Sequence, residues 1–419
     1  MHSSWLAPFS VRTFRFQWPA ALLTVWALEM ETLILGWYVL VETGSVVQLT
    51  MFASSLYFGT LLAPFLGVVA DRIGHGNTLA LMRSWYMALA ATLLTFTLTG
   101  VLSPGVVLLV AFLNGLVRPS DLAIRSAFMA GTLPREHLSG AMALERMTID
   151  TARISGALAG ASMFAMLGIA PTYVVIIVLY AIGVSLTFAA ARGPRTAEPD
   201  PEALRLMQQS RTSFWHELKE GIAYVWSRPA LRAAMWLALL ANLSAFPLTN
   251  GLLPYAAREI YLADERGLAT LVASFAGGAL IGSLTFSAVS RRMPVARLML
   301  GSAAVWYAML IIFAQMSTLY GGAMLLVLAG LAQSYCMIAM VVLILRAATP
   351  AVAGRVMGVR ILAIYSLPMG ILCAGWLIER VGFAATISAY ALFGLGMVLI
   401  LALRFHADLW RVEAPANSA

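Results

Sequence analysis

Residues Leu113 to Gly160 read LNGLVRPSDLAIRSAFMAGTLPREHLSGAMALERMTIDTARISGALAG. Two runs in this stretch are long and apolar enough for membrane helices, yet seven charges lie within them. The first holds Arg118, Asp121 and Arg125, whose i, i+3, i+7 spacing puts a plus-minus-plus stripe on one helical face. The second holds Glu145, Arg146, Asp150 and Arg153, and positions 146, 150 and 153 repeat the pattern. A charge at bilayer depth is costly unless it faces a bundle interior, a partner or a watery cavity, so this network marks a functional region. The alternative is a set of salt bridges that locks two helices together.

Composition places the chain in a membrane independently of that stripe. Of 419 residues, 61% are hydrophobic and only 11% charged, more apolar surface than one soluble core can hide. The formal charge of +8 does not point to nucleic acid, because the basic residues are spread over short loops between apolar runs. Both cysteines, Cys336 and Cys373, fall inside apolar runs, so free thiols are expected.

A membrane helix needs about 20 apolar residues. Twelve runs qualify: 18–41, 46–70, 77–99, 104–127, 138–167, 171–191, 230–256, 267–290, 298–316, 320–346, 357–379 and 383–404. If the N-terminus is inside, the even-numbered connections carry Arg72, Arg135, Arg192, Arg291, Arg292, Arg355 and six further basic residues. The odd-numbered ones carry only Arg258, Arg266 and Arg380. That asymmetry predicts both termini in the cytoplasm. The lead-in VRTFRFQW, residues 11–18, should leave Arg12 and Arg15 in the cytoplasm, and no cleavable signal is expected.

Within the first run, Glu29 and Glu31 lie about 200° apart on a helical wheel and cannot share a face. Residues 192–229 separate two halves and end in an amphipathic segment, with Phe214, Leu218, Ile222 and Val225 on one face. That segment is expected to lie on the cytoplasmic leaflet. In the second half, intramembrane charges almost vanish. Asn242 and Asn250, with Pro247 and Pro254, should bend a helix where it lines a cavity, and Gln333 and Tyr335 are further candidates for contact with substrate.

The connection after the second run reads GVVADRIGHG, Gly67 to Gly76. It resembles the loop G-x-x-x-D-R-x-G-R-[RK] in the first half of major facilitator superfamily transporters. Gly67, Asp71, Arg72 and Gly74 match, while His75 and Gly76 stand where the family has basic residues. The resemblance implies a conformational latch that steadies the outward-facing state. FRFQW, GWYVLVETGS, REHLSGAMAL, LKEGIAYVWSRPALR, LLPYAARE and GRVMGV are similar to segments of the branch that holds the enterobactin exporter and macrolide efflux proteins. Two departures stand out. Ala161, not proline, follows Gly156 and Gly160, and Arg118 does not precede a glycine as in the usual span-four motif.

Other classes lack their machinery. All five histidines fall in loops or at span ends, and no G-x-S-x-G, H-E-x-x-H or G-x-x-x-x-G-K-[ST] pattern occurs. A receptor or scaffold would not need the charges of the fourth and fifth runs. The expected fold is an all-α membrane protein of twelve transmembrane helices in two six-helix halves, the major facilitator fold. The halves span 1–191 and 230–404, joined by a cytoplasmic linker, 192–229, and followed by a tail, 405–419.

The expected function is secondary transport: proton-coupled efflux of a bulky small molecule, a siderophore or amphiphilic drug, with uptake symport as the alternative. The coupling carboxylate is sought among Glu29, Glu31, Asp121 and Asp150. Glu29 and Glu31 are farther from any cation in sequence, whereas Asp121 and Asp150 are each flanked by two arginines that hold a carboxylate ionised. No enzyme activity, cofactor, metal or nucleic-acid partner is expected. The partners are substrate, protons and lipid, and the chain is expected as a monomer in a bacterial inner membrane.

Overall fold

The computed structural model describes residues 7–192, 214–349 and 352–411, and their regular secondary structure is helical throughout. Helices are what a hydrocarbon environment demands, since every backbone polar group must find its partner within the chain. Ten are long and apolar enough to cross a membrane. Five lie in the first half of the chain or at its midpoint: α1 (Arg12–Thr43), α4 (His75–Leu98), the pair α5 (Pro104–Gly115) and α6 (Arg118–Ala130), α8 (Ile169–Ala191), and, after the short helix α9 (Phe214–Ser227), α10 (Pro229–Ile260). The others are α11 (Glu265–Ser290), α12 (Val295–Ala314), α13 (Leu319–Ala347), the pair α14 (Ala353–Leu362) and α15 (Ser366–Val381), and α16 (Phe383–Arg411).

The two remaining apolar runs differ from these for physical reasons. Helix α7 (Arg135–Leu167) has 33 residues, but its charges keep it from qualifying on composition. The run 46–70 is interrupted. It forms α2 (Val46–Ser55), a 3₁₀ turn (Phe58–Leu62) and α3 (Ala63–Ile73). Thr50, Ser54 and Ser55 turn their hydroxyls back onto the carbonyls of Val47, Thr50 and Phe52, and Pro64 supplies no N–H to continue the ladder. The break between α5 and α6 lies opposite this one. A Cβ at Gly59 would fall 2.2 Å from the Leu116 oxygen, and one at Gly115 would fall 2.0 Å from that of Ser55. Two interrupted segments therefore cross at their interruptions.

By contacts the chain divides into two units, Met1–Ser210 with Asp264–Ala269, and Arg211–Ala263 with Thr270–Ala419. In the first, α1 packs against α7 and α8, and α4 packs against α8. Gly156 and Gly160 bring α7 onto α1, since a Cβ there would stand 2.8 Å from the Trp26 ring and 3.0 Å from the Met30 Cα. The lead-in belongs to this unit. Phe14 and Gln17 are buried, Phe9 meets Phe14 and Trp18 edge-on, and Arg12 and Arg15 stay exposed. Leu81, Leu98 and Met166 are more than three-fifths exposed, as lipid-facing side chains must be.

In the second unit α12 packs on α13 and α16. Helix α10 winds through three π-helical stretches, Ala241–Ala245, Leu248–Leu252 and Ala256–Ile260, around Pro247 and Pro254. The amphipathic segment proves to be helical, but its described side chains do not face a leaflet alone. Gly221 sits 3.2 Å (as Cβ) from the Arg355 carbonyl of α14, Val225 is buried, and Arg355 Nη1 reaches Glu220 Oε2 at 2.5 Å. Ile222 and Trp226 remain exposed, while Phe214 and Leu218 lie outside the described side chains.

Candidate functional site

Glu29 and Glu31 point from α1 into different surroundings, as a two-residue separation on a helix requires. Glu29 Oε1 lies 3.3 Å from Arg118 Nη2 of α6, and Glu29 Oε2 lies 3.9 Å from Arg153 Nε of α7. Arg118 also donates to Thr32 Oγ1 at 2.7 Å. This cluster is accessible, with the Arg118 and Arg153 side chains 24% and 39% exposed. The separation of Glu29 from any cation in sequence does not carry over into space. Its two arginines are remote in sequence and adjacent in space.

Glu31 is sealed. It is 2% exposed, and its Oε2 accepts a hydrogen bond from the Tyr180 hydroxyl of α8 at 3.0 Å and from Asn114 Nδ2 of α5 at 3.5 Å. Its Oε1 has no partner, and no ion pair among the described residues reaches it. The Tyr173 and Tyr86 hydroxyls are also buried and have no hydrogen-bond partner among the described residues, and the Tyr86 and Tyr180 rings lie 6.0 Å apart.

A third group is buried between α4, α6 and α7. Arg125 Nη2 stands 3.2 Å from Asp121 Oδ2, one turn earlier, and its Nη1 stands 2.8 Å from Glu145 Oε1 of α7. Arg83 of α4, with no exposure at all, donates to Thr187 Oγ1 of α8 and feels both carboxylates. Two guanidiniums and two carboxylates cancel in charge, which is how such a set survives away from water. The stripe read from the sequence is thereby split. Arg118 belongs with Glu29, and Asp121 and Arg125 with Glu145. The side chains of Arg146 and Asp150 lie outside the described residues.

Gly74 joins α3 to α4 with φ 90°, a conformation that only glycine adopts cheaply. Asp71 Oδ1 lies 3.7 Å from His75 Nε2, and Asp71 and Arg72 are exposed at the end of α3. Gly67 meets open space, so no close helix approach uses it within this unit.

Residues 18–372 match the model of the Major Facilitator Superfamily. The chain belongs to that superfamily. It is a multi-pass membrane transporter and not an enzyme. The uncharacterized MFS-type transporter YkuC of Bacillus subtilis (strain 168) is 25% identical to this facilitator over 316 residues, 73% of this chain and 70% of YkuC. Solved structures share the fold at low identity. The POT family transporter PepTSo superposes with a TM-score of 0.73 at 14% identity, covering 96% of this chain and 99% of that one. The nucleoside transporter NupG gives 0.68 at 15%, covering 94% and 98%. The D-xylose-proton symporter gives 0.67 at 12%, covering 95% and 97%.

In the facilitator's second unit the polar candidates are engaged locally. Asn242 Nδ2 donates to the Ala238 carbonyl at 2.9 Å and Asn250 Nδ2 to that of Phe246 at 3.1 Å, each four residues back along α10. Tyr335 shares a hydrogen bond of 2.8 Å with Thr285 of α11, and Gln333 is buried on α13. Sequence reasoning missed Arg83, Asn114 and Tyr180. Arg83 carries a signal that was available, a lone charge inside an apolar run. The other two become visible only when α1 is packed.

Proposed function

We propose that this facilitator is a proton-coupled secondary transporter that exports a bulky small molecule by alternating access. Glu31 is its coupling carboxylate. What supports this reading is the environment of Glu31: buried, hydrogen-bonded through one oxygen to Tyr180 and Asn114, and without a guanidinium in contact. A carboxylate so placed costs little as a neutral acid and much as an anion, so a change in its access to water changes its proton occupancy. Glu29 and Asp121 are each in an ion pair with an arginine, a contact that Glu31 lacks among the described residues. Export of a siderophore or amphiphilic drug rests on the segments similar to the enterobactin and macrolide branch. Twelve spans, both termini cytoplasmic, a monomer in the inner membrane and a latch at Gly67, Asp71, Arg72 and Gly74 complete the proposal.

The test is Glu31→Gln in proteoliposomes. A permanently neutral side chain mimics the protonated state, so the variant is expected to keep substrate counterflow and lose both accumulation against a gradient and its pH dependence. Accumulation at the wild-type level would remove Glu31 from the coupling step.

A further inference from the structure

Two guanidiniums share the Glu29 carboxylate. Among the described residues, Arg118 and Arg153 both approach this one carboxylate, at 3.3 and 3.9 Å. Neither contact is the two-pronged pairing that arginine and carboxylate adopt when nothing else claims them. Arg118 commits Nη1 to Thr32, whereas Arg153 turns only its Nε toward Glu29 and donates no hydrogen bond among the described residues. Its side chain is 39% exposed. Tyr57 lies within electrostatic reach of all three charges.

Two partly exposed guanidiniums that share one carboxylate can take up a second anion. We infer that Arg118 and Arg153 bind a carboxylate group of the transported molecule, which displaces Glu29 from the two guanidiniums. The cargo is therefore an organic acid or zwitterion, and a permanent cation is repelled at this position. Identifying the bound anion as cargo rests on the transport reading; binding itself does not, and needs no gradient.

The full-length protein in detergent is titrated with acetate, 2-naphthoate, phthalate and citrate, each against its uncharged amide, following tryptophan fluorescence and thermal midpoint. 2-Naphthylmethylammonium serves as the cationic control. At least one carboxylate is expected to bind saturably, about tenfold or more tighter than its amide, the worth of a charge-assisted hydrogen bond. The ammonium should not compete. Arg153→Gln should weaken carboxylate binding about tenfold. Glu29→Gln should strengthen it, because the internal competitor is gone. A merely structural ion pair would not give that last sign.

Carboxylates that bind no better than their amides overturn the proposal, as does a folded Glu29→Gln protein whose carboxylate affinity is unchanged or lower. Should Glu29→Gln fail to fold, Glu29→Asp, which draws the carboxylate back by one methylene, is expected to tighten binding as well, and its failure to do so has the same force. Absence of carboxylate binding in the unaltered protein, with intact proton-driven accumulation, would sink the anion site and leave the coupling reading standing. The reverse result would do the opposite.

Discussion

Residues two apart on α1 were given different tasks by geometry alone. Glu29 turns toward α6 and α7 and finds arginines; Glu31 turns toward α5 and α8 and finds an amide and a phenol. The buried set of Arg83, Asp121, Arg125 and Glu145 obeys a different rule, cancellation of charge. Removing one member leaves the rest uncompensated, at a cost of about 3–5 kcal/mol for a buried pair. Arg83→Met and Glu145→Gln should each lower the thermal midpoint of the purified protein, and the double variant should recover part of the loss because its charges again cancel. A coupling of about 1–3 kcal/mol is expected for groups in one network. Strict additivity of the two losses would mean that Arg83 is compensated elsewhere and that the four residues are not one unit.

At the level of helices, close approach is concentrated where α7 meets α1. Gly156→Leu would drive a side chain into Trp26 and the Glu29 Cβ, so it should reduce folded yield and weaken the grip of Arg118 and Arg153 on Glu29 together. Gly67→Ala meets nothing within 4 Å and should leave the thermal midpoint unchanged, which a melting curve of each variant would check. If Gly67→Ala also abolishes transport, the glycine serves a conformation other than this one. The apolar runs were legible in the sequence because a membrane helix writes its length into composition. The break in the run 46–70 was not, since it depends on hydroxyls bonding to their own backbone and on Gly59 meeting the break between α5 and α6. Docking of α9 on α14 was hidden for a similar reason. Amphipathicity names a buried face but not what buries it, and here Glu220, Gly221 and Tyr224 meet residues more than a hundred positions away. The spacing 118/121/125 predicts one charged stripe on a single helical face. Its division between two clusters was set by Glu29 and Glu145, on helices the stripe itself cannot specify.

Direction of transport belongs to the whole molecule, because it depends on which side each loop faces and on how proton and substrate are exchanged. Orientation comes first. With Cys373, which is exposed, replaced by alanine, single cysteines within 193–213 should be shielded from an impermeant thiol reagent in intact cells, and one at Ala263 should be labelled. Labelling of both from outside would end the twelve-span topology. Direction then follows from inverted vesicles energised to be acid inside. An exporter that exchanges protons for substrate should load such vesicles, and a protonophore should abolish the loading. Glu31→Gln vesicles should equilibrate substrate without concentrating it, since a neutral side chain can complete the exchange cycle but cannot carry a proton through it. A symporter behaves oppositely in the same preparation: it empties the vesicles under an inward-acid gradient and fills them when the gradient is reversed. Should a deletion strain also show unchanged sensitivity to siderophores and to other acidic or zwitterionic compounds but grow poorly on an organic acid as nutrient, export would be replaced by uptake. The Arg118 and Arg153 site would then be read as the entry point of that acid rather than its exit.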